Sequence, residues 1–246
     1  RRGQLMGLIY VRYELLRTLR NRRFVIFSFV FPLVLYLAFT SADRHAKVGG
    51  VPFPLYYMIA MAGFGALIAA ISIGPRISAE RQMGWTRQMR ITPLPTWYYF
   101  TAKIIAGYAI ACLTLIILYI AGLAFGVHLS VIHWLLMTGL FLVGLLPFTI
   151  LGVMLGHLLK PDSMGPVTGG VSTLFLLIGG GFGNIGGHGL LHKIFELIPS
   201  YWLIRAGAVS LGGSPWTLEG WLVIVLWTAA FAFLARLVYL RDTVRL

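Results

Sequence analysis

Long apolar runs separated by short polar breaks organise this chain. Runs with few charges occur at 24–40, 54–73, 98–125, 134–155, 167–185 and 221–239. A helix of about twenty apolar residues crosses the hydrocarbon core of a bilayer. None of the runs shows the alternation of a barrel strand, and a helix satisfies its own backbone hydrogen bonds in lipid. The pattern therefore predicts an all-α polytopic membrane protein with six transmembrane helices. The first run is short, so it must borrow flanking residues or thin the bilayer.

Three segments outside the runs depart from simple connectors. In the first, residues 1–22, Leu5, Leu8, Ile9, Leu15, Leu16 and Leu19 share one helical face, and Arg2, Glu14, Arg17 and Arg20 avoid it. This predicts an amphipathic helix in the membrane interface. Arg12 falls inside the apolar stripe and must snorkel to the headgroups. The second lies between the second and third runs. Residues 76–92 are polar and basic, patterned as a short helix, and followed by Pro93 and Pro95, which stop a helix. Glu80, Met83, Arg87 and Arg90 share a face by three- and four-residue spacing, with Trp85 and Met89 as an apolar stripe beside it. A charged helix held at the membrane surface suits docking to a soluble partner. In the third, residues 190–209, Pro199 and Ser200 divide an apolar stretch carrying Lys193, Glu196 and Arg205. Neither half is long enough to span, so a re-entrant pair of helices before the sixth run is expected.

Composition sharpens the class. Hydrophobic residues make up 59% and charged residues 11%, with mean hydropathy +0.85. Soluble domains carry about 25% charged residues. Six spans and short loops then leave no room for a soluble domain in 246 residues. The chain opens on Arg1, so a few N-terminal residues are expected to be missing, and no cleavable signal peptide is visible. The single cysteine, Cys112, lies in a run, which excludes an intrachain disulfide.

The net charge of +13 invites a nucleic-acid reading, but its distribution does not. With both termini in the cytoplasm, only Arg44, Lys47, Lys193 and Arg205 of the twenty Lys and Arg residues fall outside. Such a bias sets orientation by the positive-inside rule and favours anionic lipid headgroups. It places the chain in the plasma (inner) membrane as a multi-pass protein with both ends cytoplasmic.

Several chemistries lack their residues. There is no Gly-x-x-x-x-Gly-Lys-Ser/Thr phosphate loop. All seven carboxylates, Glu14, Asp43, Glu80, Asp162, Glu196, Glu219 and Asp242, fall outside the predicted spans, where ion-coupled transport needs intramembrane acids. His188 and His192 are four apart but lack an evident third metal ligand. No catalytic or metal site is expected. Gly165, Gly169, Gly179, Gly183 and Gly187 give small-residue spacing around the fifth run, as do Gly152/Gly156 and Gly122/Gly126. Such faces permit close helix packing, or flexibility near a gate together with Pro199.

The run Ala79-Glu80-Arg81-x-x-Gly84-Trp85-x-Arg87-Gln88-x-Arg90-x-Thr92-Pro93-Leu94 closely resembles the signature of the ABC-2 type permeases, membrane subunits of ATP-binding cassette transporters. Its Gly-Trp and Arg-Gln-x-Arg variant looks like the actinobacterial drug and antibiotic exporters of this group. Ile198-Pro199-Ser200-Tyr201-Trp202 resembles the family's segment before its last span. The resemblance covers essentially the whole chain and implies a type V exporter fold in which two permease protomers, identical or related, each rest on one ATP-binding subunit. It implies a coupling helix in which Glu80, Arg81, Met83, Gly84, Trp85, Arg87, Arg90, Thr92 and Pro93 meet that ATPase. The permease then holds no cofactor and performs no catalysis, and ATP and Mg belong to the partner. A hydrophobic or amphipathic cargo (drug, antibiotic or lipid) suits aromatic-rich spans without acids. A polysaccharide or lipid-linked glycan is the alternative cargo, and a non-transporting membrane anchor the alternative role.

Overall fold

The computed structural model describes residues 2–21, 26–48, 50–85, 88, 96–180, 190–211 and 216–244, with side chains over a slightly smaller set. Helix α1 (Arg2–Arg20) precedes a π-helical turn (Ile26–Val30) that runs into α2 (Phe31–Ala42). A two-residue hairpin, β1 (Lys47–Val48) and β2 (Val51–Pro52), turns the chain through Gly50 at φ +85°. Helices α3 (Phe53–Ile71) and α4 (Ile73–Gln82) follow, joined at Ser72, then α5 (Thr96–Ala124). α6 (Val131–Gly144) and α7 (Leu146–Leu158) meet at Leu145, and α8 is Pro161–Ile178. Two short helices, α9 (Leu190–Glu196) and α10 (Pro199–Arg205), lead through a 3-10 segment (Ala206–Leu211) to α11 (Leu218–Val244).

Four helical stretches among the described residues are long and apolar enough to cross a membrane: Phe53–Gln82, Tyr98–Ala124, Val131–Leu158 and Leu218–Arg241. The apolar stretch Ser28–Ala42 is shorter. The chain is thus an all-α membrane protein in architecture, with the small hairpin its one described sheet. The sequence places a span at 167–185; the described helix α8 instead begins at Pro161 and ends at Ile178, and its remainder lies outside the described residues.

Helix α3 is the centre of the bundle. Almost every side chain from Tyr57 to Ile71 is buried, and Ala60, Ala62, Gly63, Gly65, Ala66, Ala69 and Ala70 keep its surface narrow. Small residues let helices approach closely where lipid gives no hydrophobic drive between them. α5 and α2 pack on α3, α7 packs on α4 and α11, and α11 is mostly exposed on the periphery. The crossing of α7 over the α3–α4 joint is close and largely backbone. A Cβ on Gly152 would meet Ile71 O at 2.7 Å, and one on Gly156 would meet Gly74 O at 2.7 Å. The Gly152/Gly156 spacing read from the sequence is therefore a close-approach site.

The break expected at Pro199 is present. Pro199 opens α10, where its missing N–H leaves nothing unsatisfied, and each flanking helix has seven residues. Trp202 locks the break: its Nε1 donates to Glu196 O at 2.7 Å, and its ring fills the space where a Cβ on Gly220 would lie.

A buried ionic cluster below the connector

The second unusual segment of the sequence follows α4, whereas the third packs along α3, where Ile204 lies against Gly63 and Gly207 against Ile59. At the α4 end three helices meet through charge. Glu80, on the last turn of α4, is 1% exposed. Lys103, on the second turn of α5, is also 1% exposed, and Glu14 on α1 is 3% exposed. Lys103 Nζ donates to Glu80 Oε1 at 2.6 Å and to Glu14 Oε1 at 2.5 Å. Tyr99 Oη donates to Glu80 Oε2 at 2.7 Å. Arg17 Nη1 donates to Glu80 Oε1 at 2.6 Å from the solvent side, with 56% of its side chain exposed. Arg76 donates to Thr18 Oγ1, fastening α4 to α1 a turn deeper. Charge-assisted hydrogen bonds of this kind are the strong ones, and Glu14, Glu80, Lys103, Arg17 and Tyr99 each have a charged or phenolic partner.

Local chemistry explains the arrangement. A carboxylate near a helix C-terminus opposes the helix dipole, so Glu80 at the end of α4 needs external cations. Lys103 and Arg17 supply them. A lysine inside an apolar helix needs an anion, and two are present. The neighbouring Tyr10 phenol is held protonated: burial, with the negative charges of Glu14 and Glu80 behind it, pushes its pKa up.

Helix α1 is accordingly turned around from the simplest amphipathic reading. Its polar residues Glu14 and Thr18 face α4 and α5, and Gly7 lies against the Tyr98 ring. Ile9, Tyr13, Leu16 and Leu19 face outward. A helix flanked by lipid loses nothing by exposing its apolar face, and its polar face finds the ionic partners inside.

The helix expected over 76–92 is interrupted at Gly84; beyond it Trp85 and Gln88 are again helical, with Gln88 N–H donating to Gly84 O at 3.3 Å. α4 ends at Gln82, and Gly84 adopts φ +73° with its N–H donating to Arg81 O. Glycine in the left-handed region just past a helix is a strong stop. Glu80 therefore closes the membrane helix and does not open a coupling helix, and its charge is met by Lys103 and Arg17. Arg81 Nη1 donates to Gly156 O at 3.0 Å, tying the turn to α7. Met83 and Trp85 are exposed beyond the stop. Arg87, Arg90, Thr92 and Pro93 lie outside the described side chains.

The glycine candidates divide. Gly179 sits where a Cβ would meet Ser200 O at 2.7 Å, so it permits the contact of α8 with α10. Gly165 and Gly169 have open space around them and line a cleft of about 480 Å³. Phe31, Phe64, Ile68 and Ser72 form the cleft's other wall. Gly183 and Gly187 lie outside the described residues, as does His188. His192 Nε2 lies 3.5 Å from Glu196, and no group of three or more metal-ligating side chains occurs among the described residues.

Sequence reasoning set Glu80 on a docking face and did not anticipate Lys103 and Tyr99 as its buried partners. The available signal was Lys103 itself, a lysine inside the predicted 98–125 span.

Comparison with known proteins agrees with this architecture. Over 232 residues the chain is 29% identical to "Putative transport permease YvfS" of Bacillus subtilis (strain 168), covering 91% of this chain and 92% of that protein. The profile of the ABC-2 type transporter family matches residues 8–211, from α1 through the 3-10 segment. The chain belongs to the ABC-2 type transporter family.

Proposed function

We propose that this chain is the pathway-forming subunit of an ATP-driven exporter, working as a pair of permeases with two copies of a separate ATP-binding subunit that carries ATP and Mg. Both termini and the α4–α5 connector face the cytoplasm of a plasma membrane. Two further spans, around α2 and α8, complete six, and α9 and α10 form the re-entrant element outside. The observation that carries this reading is the ionic cluster. It fixes the base of the exposed Met83–Trp85 tip to α1 and α5, so a force applied at the tip moves three membrane-associated helices together. A solvated connector with no partner has no use for such an anchor.

The cleft between α2, α3 and α8 supports a hydrophobic or amphipathic cargo. Its lining combines Phe31, Phe64 and Ile68 with the hydroxyls of Ser72, Thr168, Ser172 and Thr173, and no ionisable side chain among the described residues. Trp85, Met83 and the following Arg87 and Arg90 contact the ATPase. The test is uptake of a lipophilic dye into inverted vesicles containing permease and ATPase, with ATP supplied and a protonophore present. Retained, ATP-dependent transport is expected. Transport abolished by the protonophore while ATP stays high would refute ATP as the direct energy source.

A further inference from the structure

A second, smaller cleft opens beside the ionic cluster, between α1 and α4. Its volume is about 210 Å³, and Arg17, Thr18, Asn21 and Arg76 line it. Pro75 and Ala79 form its floor, and Glu14 stands at its inner edge, turned to Lys103. We propose that this cleft binds the phosphate headgroup of an anionic phospholipid, held between the guanidinium groups of Arg17 and Arg76.

Charge balance calls for an anion. Among the described residues, Arg17, Arg76 and Lys103 stand with two carboxylates, Glu14 and Glu80, an excess of one positive charge. Guanidinium groups match phosphate oxygens in a paired, planar geometry. Thr18, whose hydroxyl donates to Glu14 O and accepts from Arg76, and Asn21 complete the polar wall. Glu14 weakens the site but does not cancel it, because its carboxylate is already neutralised by Lys103 at 2.5 Å.

Depth places the cleft at headgroup level. The helical stretch Phe53–Gln82 has 30 residues, about 45 Å of helix against a hydrocarbon core of about 30 Å. Its last third, which holds Pro75, Arg76 and Ala79, therefore projects into the polar zone. The neighbouring surface supplies the rest of the ligand's chemistry. Ile9, Tyr13, Leu16 and Leu19 are exposed along α1, and Ile26, Val30 and Phe31 are exposed apolar side chains on the next described stretch. Acyl chains cover such a surface. Free phosphate does not, nor does a partner's acidic side chain. The leaflet meant is the cytoplasmic one, so the proposal rests on the orientation given above. Bound phosphate competes with Glu80 for Arg17, which makes the outer member of the ionic cluster responsive to lipid.

The test is native mass spectrometry of the purified full-length permease in detergent, after exchange into mixed micelles with phosphatidylglycerol or phosphatidylcholine. Preferential retention of phosphatidylglycerol is expected. Arg17→Gln/Arg76→Gln should lower that retention roughly tenfold, the loss of one or two charge-assisted bonds. Arg20→Gln, on the same helix but outside the cleft lining, should not. Should the double variant fail to fold, Ala79→Glu puts a carboxylate on the half-buried cleft floor and should give the same loss. Equal retention of both lipids, or equal losses in Arg20→Gln and the cleft variants, would overturn the site in favour of a general basic surface. Competition by inorganic phosphate at millimolar concentration without lipid preference would overturn it in favour of a small-anion site. Retention in detergent requires no ATPase and no transport. A failed lipid preference beside intact export removes this site alone, whereas a specific lipid without export counts against the transport reading.

Discussion

Replacing Lys103 by Met tests the ionic cluster most directly. Met keeps the length of the side chain and removes the charge. Lys103 is almost fully buried and meets two carboxylate oxygens at 2.5 and 2.6 Å. Each contact has a gross attraction of about 6 kcal/mol at an effective dielectric of about 20. Desolvation of the three ions offsets most of this, several kcal/mol apiece. What remains after the substitution is two buried carboxylates without their shared cation. Removing one partner of a buried pair costs about 3–5 kcal/mol, and for a chain of this size that lowers the melting temperature by about 10 °C. The assay is thermal unfolding of detergent-purified protein by intrinsic tryptophan fluorescence, with monodispersity as a second readout. The triple variant Lys103→Met/Glu80→Gln/Glu14→Gln, which removes both anions as well, should recover more than half of the loss, since an uncharged cluster has little to desolvate. Unchanged melting in Lys103→Met would refute the buried pairing. A triple variant no better than the single one would refute its electrostatic origin. Arg17→Ala should be much milder, within about 1 kcal/mol, because its exposed side chain is screened by water.

Three further outcomes are expected. Gly156→Ala places a methyl 2.7 Å from Gly74 O and 3.0 Å from Gly74 Cα; separating α4 from α7 should cost about 1–3 kcal/mol in the same unfolding assay, whereas Gly169→Ala, with open space around it, should cost nothing. Trp85→Ala should leave melting unchanged and weaken ATPase binding by about 2 kcal/mol, or roughly thirtyfold, in a pull-down titration, if the exposed indole is an interface anchor; wild-type affinity in that variant would exclude Trp85 from the contact. In a Cys112→Ser background, cysteines at Trp85 and Arg241 should resist an impermeant thiol reagent in sealed cells and those at Lys47 and Lys193 should react; external labelling at Trp85 would invert the proposed orientation.

Hydropathy made the long helices legible. The runs at 54–73, 98–125, 134–155 and 221–239 each fall in a helical stretch of membrane-crossing length, because in lipid the apolar signal and the structural requirement coincide. The break at Pro199 was legible for a similar reason: a proline without an N–H marks the start of a helix whatever surrounds it. The ionic cluster was not legible. Glu14 and Lys103 lie 89 positions apart, Arg17 and Glu80 63 apart, and no local period encodes such a pairing. Helical spacing set Glu80 beside Met83 on a docking face, but that reasoning assumed a continuous helix through Gly84. The backbone at φ +73° ends the helix there and leaves Glu80 on the buried side. Glu80→Ala is consequently a poor probe of partner docking, since it also strips Lys103, Arg17 and Tyr99 of their acceptor.

The glycine crossing between α4 and α7 has a mechanical corollary. Where side chains interdigitate, two helices can tilt relative to each other only by unlocking knobs from grooves. At Gly74, Gly152 and Gly156 there are few to unlock: backbone approaches backbone, with Ile77 and Met164 the side chains beside it. Such a contact resists translation and permits rotation, which is the behaviour of a fulcrum. From Gly74 to Gln82 the arm is about 12 Å, and from Gly74 back to Phe53 about 32 Å, at 1.5 Å per residue. For a stiff Phe53–Gln82 helix, a shift of about 1 Å at the tip becomes between two and three ångströms at the far end of the bundle. Spin-label distances from either end of that helix to α11, with and without nucleotide on the ATPase, would read the two displacements and their ratio.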